Sequence, residues 1–169
     1  EIVGIAGVAG NGQDELLALL SGEQRLAREH GACIRFLDAP VAHLRPDARR
    51  RHGMAFVPAE RLGHGAVPDM SLADNGLLTG FQQDGLVGAG LIRHHRVEAF
   101  ARRIIERFSV KTPDTHTPAR SLSGGNLQKF ILGREILQQP KLLVAAHPTW
   151  GVDVGAAAAI HRELIALRD

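Results

Sequence analysis

The stretch Gly7-Val8-Ala9-Gly10-Asn11-Gly12, set between an apolar run and a leucine-rich segment, limits this chain more than any other feature. Ile2–Ala6 reads as a short buried parallel strand. Gln13–Ser21 carries Leu16, Leu17, Leu19 and Leu20, with Asp14 and Glu15 in its first turn, where a helix favours negative charge. Strand, glycine loop and helix in this order form the opening unit of an α/β phosphate-binding fold. In such a unit the backbone amides at the helix N-terminus point at an anion.

The side chains of the loop depart from that device. A phosphate-binding loop of the form G-x-x-x-x-G-K-[ST] has its glycine positions met by Gly7 and Gly12, with Gly10 and Asn11 between them. Gln13 stands in place of the lysine and Asp14 in place of the Ser or Thr. A lysine about 4 Å from a phosphate oxygen is worth at most about 4 kcal/mol at an effective dielectric near 20. Gln13 offers only a neutral hydrogen bond. Asp14 and Glu15 add two negative charges where the helix end supplies about +0.5. The expectation is nucleotide affinity well below that of an intact loop. A tight strand-to-helix turn with ordinary acidic capping is the competing reading.

Downstream, strand and helix patterns alternate. Ala32–Leu37 and Met54–Val57 read as strands, and Pro46–Arg51 as a short helix with proline in its first turn. Arg61–Pro68 reads as loop. Ser71-Leu72-Ala73-Asp74 resembles a capping box that opens a helix. Phe81–Gly90 reads as a glycine-rich, mobile connection. His95–Phe108 is amphipathic, with Val97, Phe100, Ala101, Ile104, Ile105 and Phe108 toward one side. Lys111–Arg120 reads as extended or loop, Gly124–Leu137 as helix, Lys141–Ala146 as strand and Gly155–Leu167 as helix. The mostly helical block from Ser71 to Phe108 reads as an insert in an alternating α/β domain. The arginines at positions 45, 49, 50 and 51 read as a solvated helix face rather than a lipid or nucleic-acid contact.

Composition narrows the classes. The 169 residues suit one domain, and 44% hydrophobic content supports a packed core. Twenty Lys and Arg against 18 Asp and Glu do not mark a nucleic-acid binder. Cys33 is the only cysteine, so an internal disulfide and a multi-cysteine metal site are excluded. No apolar run approaches the roughly 20 residues of a membrane-spanning helix. The chain starts inside a strand pattern and stops on a helical one, as a piece truncated at both ends would.

Leu122-Ser123-Gly124-Gly125-Asn126-Leu127-Gln128 opens a helix and resembles the signature of ABC-transporter ATPases, in the variant of sugar and nucleoside importers with Asn after the second Gly. Two glycines let a helix N-terminus approach phosphate closely, and Ser123 adds a hydroxyl donor. Pro140–Asp153, which contains Pro148-Thr149, resembles the Walker B strand and D-loop, but Ala146 and His147 occupy the family's Asp and Glu positions. Asp153 matches the D-loop Asp, and Trp150 stands where Arg or Ser is usual. Phe56–Arg61 resembles the Q-loop segment, with Ala59 at the Gln position and Glu60 beside it. The best match is the second, C-terminal half of a tandem importer ATPase for ribose-like sugars or nucleosides.

The resemblance implies an α/β P-loop NTPase (RecA-like) core with a helical subdomain over 71–139 that includes the signature helix. It implies that residues 1–169 form one ABC-type nucleotide-binding domain with no catalytic or metal-binding residue of its own. ATP and Mg²⁺ would be weak or absent at Gly7, Gly10, Asn11, Gly12, Gln13 and Asp14. Ser123, Gly124, Gly125, Asn126 and Gln128 would act in trans on a paired domain. Further implied partners are membrane permease subunits, docked near Glu60–Leu78, with no nucleic acid. The location would be cytoplasmic, peripheral on the inner face of the plasma membrane. Two other readings compete: a nucleotide-free structural half, and a non-transport ABC ATPase acting on nucleic acid, which would be expected to retain the Walker B acid that Ala146 replaces.

Overall fold

A computed structural model describes residues 1–8, 10–82 and 85–168. Ala9 of the glycine loop, Gln83 and Asp84 of the Phe81–Gly90 connection, and Asp169 lie outside the described residues. Helix α1 spans Gln13–Ser21 and starts on Gly12, whose φ of 94° lies in the left-handed region that glycine tolerates. Strands β1 (Arg35–Phe36) and β2 (Ala39–Pro40) form a small antiparallel hairpin. Leu37 and Asp38 close it with positive φ at both turn positions, which suits the right-handed twist of a tight hairpin. Helix α2 covers Pro46–Arg51 and strand β3 covers Met54–Val57.

Helix α3 (Leu72–Gly80) is capped by Ser71, whose Oγ accepts from the Asp74 amide at 3.0 Å and donates to Asp74 Oδ2 at 2.6 Å. A cap of this kind contributes about 1 kcal/mol. A second hairpin, β4 (Val87–Gly88) and β5 (Leu91–Ile92), leads into helix α4 (His94–Arg107). Helix α5 (Gly124–Ile136), strand β6 (Leu142–Ala145) and helix α6 (Val154–Arg168) complete the order.

The main core lies among α3, α4 and α5. Val97, Phe100, Ala101, Ile104 and Phe108 are buried, as the amphipathic spacing predicts, against Leu127, Phe130, Ile131 and Leu132 of α5. A Cβ on Gly133 would stand 2.6 Å from the Phe108 ring. Glycine in mid-helix costs about 0.5–1 kcal/mol relative to alanine. Here it lets α5 receive the Phe108 ring at close range. Strands β3 and β6 pair in parallel, Met54 opposite Leu142 through Val57 opposite Ala145. The helical block therefore lies between two strands that are adjacent in space.

Three expectations are corrected. Ile2–Ala6 forms no strand; Ile2, Val3 and Ile5 are exposed, and Val8 just beyond them as well. A strand exists only on a ladder, and among the described residues β6 pairs with β3 alone. Much of Ala32–Leu37 is likewise not extended, because a 3₁₀ turn takes Arg28–Cys33 and leaves only β1. The Phe81–Gly90 connection holds β4, so it is not structureless throughout.

A fourth correction concerns half of the arginine cluster: Arg45 and Arg51 are exposed as expected, but Arg49 and Arg50 are not. Arg49 is fully buried. Its guanidinium donates to the carbonyls of Leu19, Leu20 (2.7 Å), Ala42 (2.9 Å) and Leu44 (3.1 Å). It thus sits at the C-terminal end of α1, where a helix favours positive charge. Burial draws this guanidinium below its ordinary pKa. Arg50 donates to Glu135 Oε2 at 2.6 Å and holds α2 to α5.

Candidate functional site: the cleft at the ends of two parallel strands

Parallel pairing brings the ends of β3 and β6 to one edge. The chain leaves β3 into Pro58-Ala59-Glu60-Arg61 and leaves β6 into Ala146-His147. In open α/β sheets the crevice beyond the carboxyl ends of the strands is where ligands bind. The Ala146 amide continues the pairing by donating to the Val57 carbonyl at 2.9 Å. His147 then turns the chain with φ 47°. The Trp150 amide closes that turn onto the His147 carbonyl at 3.0 Å. The His147 and Trp150 rings meet edge to face, with centroids 5.3 Å apart. Trp150 is nevertheless 69% exposed.

Helix α5 begins at the same edge. Ser123 is its N-cap, and its Oγ accepts from the Asn126 amide at 3.4 Å and from Asn126 Nδ2 at 3.0 Å. Asn126 Oδ1 accepts from the Lys111 amide at 2.9 Å, so the Asn side chain ties the helix start to the preceding loop. Ser123 and Gly124 are exposed, and Gly125 packs on Val152 at ordinary contact distance. Gln128 differs from these neighbours. It is buried, and its carboxamide is engaged within the chain by Arg61 and by the Pro148 carbonyl. It therefore serves the local architecture and does not face outward.

A cleft of about 700 Å³ unites these parts; its walls include Ala59, Glu60, Arg61, Gly124, His147 and Trp150. The structure thus brings the Ala59–Glu60 segment, Gly124 at the start of α5 and the end of β6 together. Asp153 is not part of this wall. Its Oδ1 accepts from the Ala156 amide at 2.8 Å at the start of α6, and that bond draws its carboxyl below the usual range.

The glycine loop stands apart from the cleft and is closed by its own chain. Gln13 folds back over it: Nε2 donates to the Val8 carbonyl at 2.8 Å, and Oε1 accepts from the Asn11 amide at 3.0 Å. A Cβ on Gly7 would stand 2.7 Å from Gln13 Nε2, so the carboxamide fills the space beside that glycine. Asp14 and Glu15 lie in the first turn of α1, Glu15 exposed. The loop mouth thus presents the Gln13 carboxamide, with the Asp14 and Glu15 carboxylates in the turn beside it. The start of α5 presents small exposed residues at the positive end of a helix dipole, with the Arg61 guanidinium against Gly124.

The family model for ABC transporters matches residues 1–150. The chain belongs to the ABC transporter family. This ABC transporter chain is 41% identical over its full length to the guanosine import ATP-binding protein NupO of Bacillus subtilis (strain 168), covering 32% of that protein. It is 36% identical, again over its full length, to the nucleoside import ATP-binding protein NupA of Lactococcus lactis subsp. cremoris (strain MG1363), covering 33% of it. The chain thus spans about a third of the length of the curated relatives it matches. Among solved structures it resembles the dimeric post-hydrolysis state of the ATP-binding cassette MJ0796 bound to ADP and Pi, with a TM-score of 0.74 at 18% identity. That match covers 96% of this chain and 67% of the other. The α/β architecture is therefore the ABC cassette fold.

Several residues that shape this ABC transporter domain carry no motif of their own. Arg134 is buried; its guanidinium donates to Glu135 Oε1 (2.9 Å) and to the carbonyls of Asn75 (3.0 Å) and Gly65 (2.9 Å). Asn75 is fully buried and holds Val67 through both its amide and its carbonyl. These bonds fix the loop that follows Arg61 against α3 and α5. The one sequence signal for them is the placement of charged residues inside an otherwise apolar helix.

Proposed function

We propose that this chain is the ATP-binding component of an ABC importer for nucleosides or simple sugars, in which its signature completes the ATP site of a paired cassette. The observation that carries this reading is the contrast between two helix starts. Ser123 and Gly124 at the start of α5 are exposed, while the start of α1 is filled by Gln13. Ala146 has no side-chain oxygen with which to hold a metal through water, and His147 is turned against Trp150. The site belonging to this domain would then be degenerate and the site it completes for its partner competent. The dimeric cassette among the similar structures supports a paired arrangement. The names of the relatives NupO and NupA support nucleoside import.

The finer assignment is the second half of a tandem ATPase, with 71–139 as its helical subdomain. The span of about a third of the relatives leaves length for another cassette. Membrane permease subunits would dock on the groove beside residues 60–78, where Leu17, Pro46, Phe56, His64, Val67 and Leu78 line a shallow cleft and Val67 and Leu78 are exposed. Among the described residues no helix is long and apolar enough to cross a membrane. The domain would sit peripherally on the cytoplasmic face.

Titration of the chain with fluorescent ATP and Mg²⁺ tests the degenerate site. Weak or absent binding is expected. Gln13→Lys is expected to tighten it by no more than about tenfold, because Asp14 and Glu15 still oppose the phosphates. Tight binding by the unaltered chain would contradict the reading.

A further inference from the structure

From the wall of the cleft we infer that Arg61 is a positioning residue, which locks the signature helix to the D-loop turn so that the two move as one unit. This deepens the proposed function and rests on it for its catalytic consequence, though not for its structural one. Arg61 leaves the end of β3 and reaches two other segments. Its Nε donates to Gln128 Oε1 at 3.1 Å, and its Nη2 donates to the Trp150 carbonyl. Gln128 in turn donates through Nε2 to the Pro148 carbonyl at 3.2 Å. One planar fork and one buried carboxamide therefore join three stretches that are far apart in sequence.

The glycines on either side fit this arrangement. A Cβ on Gly124 would stand 2.6 Å from Arg61 Nη1, and one on Gly151 would stand 2.9 Å from Nη2. A side chain at either position would displace the guanidinium. Among the described residues no carboxylate pairs with Arg61, so its charge is met by neutral oxygens. Bonds from a charged donor are about twice as strong as neutral ones, and a planar fork holds direction as well as distance. Lysine has the charge without the fork. Gln128 of the signature helix and the Trp150 carbonyl thus share one donor, which lies against Gly124. A shift of the turn at Trp150 is transmitted to the start of α5 through Arg61 and Gln128.

The test compares Arg61→Ala, Arg61→Lys and Gln128→Leu in the intact chain by hydrogen exchange and by time-resolved anisotropy of Trp150, its sole tryptophan. In each variant the amides of residues 126–128 and of Trp150 are expected to exchange faster together, by about tenfold, the weight of one hydrogen bond to a charged group. Trp150 is expected to gain a fast rotational component. Faster exchange confined to residues 58–62, with Trp150 unchanged, would overturn the inference. If Arg61→Ala does not fold, Arg61→Lys and Gln128→Leu decide between the same two outcomes. In the full ATPase assembly, Arg61→Lys is expected to lower kcat about tenfold with KM unchanged. If Ser123→Arg leaves turnover intact there, the proposed function fails while the joint loss of protection still stands.

Discussion

Ser123→Arg is expected to abolish ATP turnover by the paired assembly, a loss of at least about a hundredfold. Ser123 caps α5 with its Oγ and stands exposed beside Gly124. The adjoining Gly124 and Gly125 are small, so an incoming phosphate would meet backbone donors with the Arg61 guanidinium beside them. A guanidinium on a long stem at position 123 fills the mouth of the helix and keeps the partner's nucleotide away from the backbone donors. The fold is expected to survive, because losing an N-cap costs only about 1 kcal/mol. Phosphate release by the assembly, beside a circular dichroism melt of the variant chain, separates lost catalysis from lost structure. Turnover that persists in a folded Ser123→Arg assembly would show that this helix start completes no ATP site.

Glu135→Ala should cost about 3–5 kcal/mol of folding stability, the largest effect expected of any single change in the core. Glu135 is fully buried and accepts three bonds: Oε2 from Arg50 at 2.6 Å, and Oε1 from Arg134 and from Thr79, each at 2.9 Å. Burial lowers the pKa of Arg134, and Glu135 beside it opposes that fall. Removing the carboxylate leaves two guanidinium groups, one of them wholly buried, without their counter-charge. Glu135→Gln keeps the shape and loses the charge, so it should recover only a minor part of the deficit. Urea unfolding of the two variants measures both. A loss below about 1 kcal/mol in Glu135→Ala would show that the arginines are adequately held by carbonyls alone.

What could be read from the sequence was what local chemistry decides. Gly12 at the start of α1, Ser71 at the start of α3 and Ser123 at the start of α5 are all capping positions, and each helix begins there. The spacing of Val97, Phe100, Ala101 and Ile104 marks the buried side of α4 because helical period and burial agree. The Ile2–Ala6 expectation failed for a non-local reason: an apolar run becomes a strand only when another strand offers a ladder. Arg49 and Arg50 misled because three consecutive arginines resemble a solvated surface, and the groups that bury them lie on α1 and α5. Arg61 was the hardest to see. Its partners, Gln128 and Trp150, are assembled only when β3 and β6 pair.

That pairing has a consequence for how the molecule acquires its cleft. Strand β3 uses residues 54–57 and β6 uses residues 142–145, so the ladder must close a loop containing the whole helical block. For roughly 85 intervening residues the length-dependent part of the closure entropy is about 4 kcal/mol, before any strand contact returns it. Helices α3, α4 and α5 make shorter-range contacts and face a smaller barrier. The expected order is therefore helical block first and parallel ladder last. In pulse-labelled refolding, amides of α4 and α5 should gain protection before those of β3 and β6; the reverse order would refute it. The cleft, with walls drawn from both strand ends, would then exist only in the finished fold.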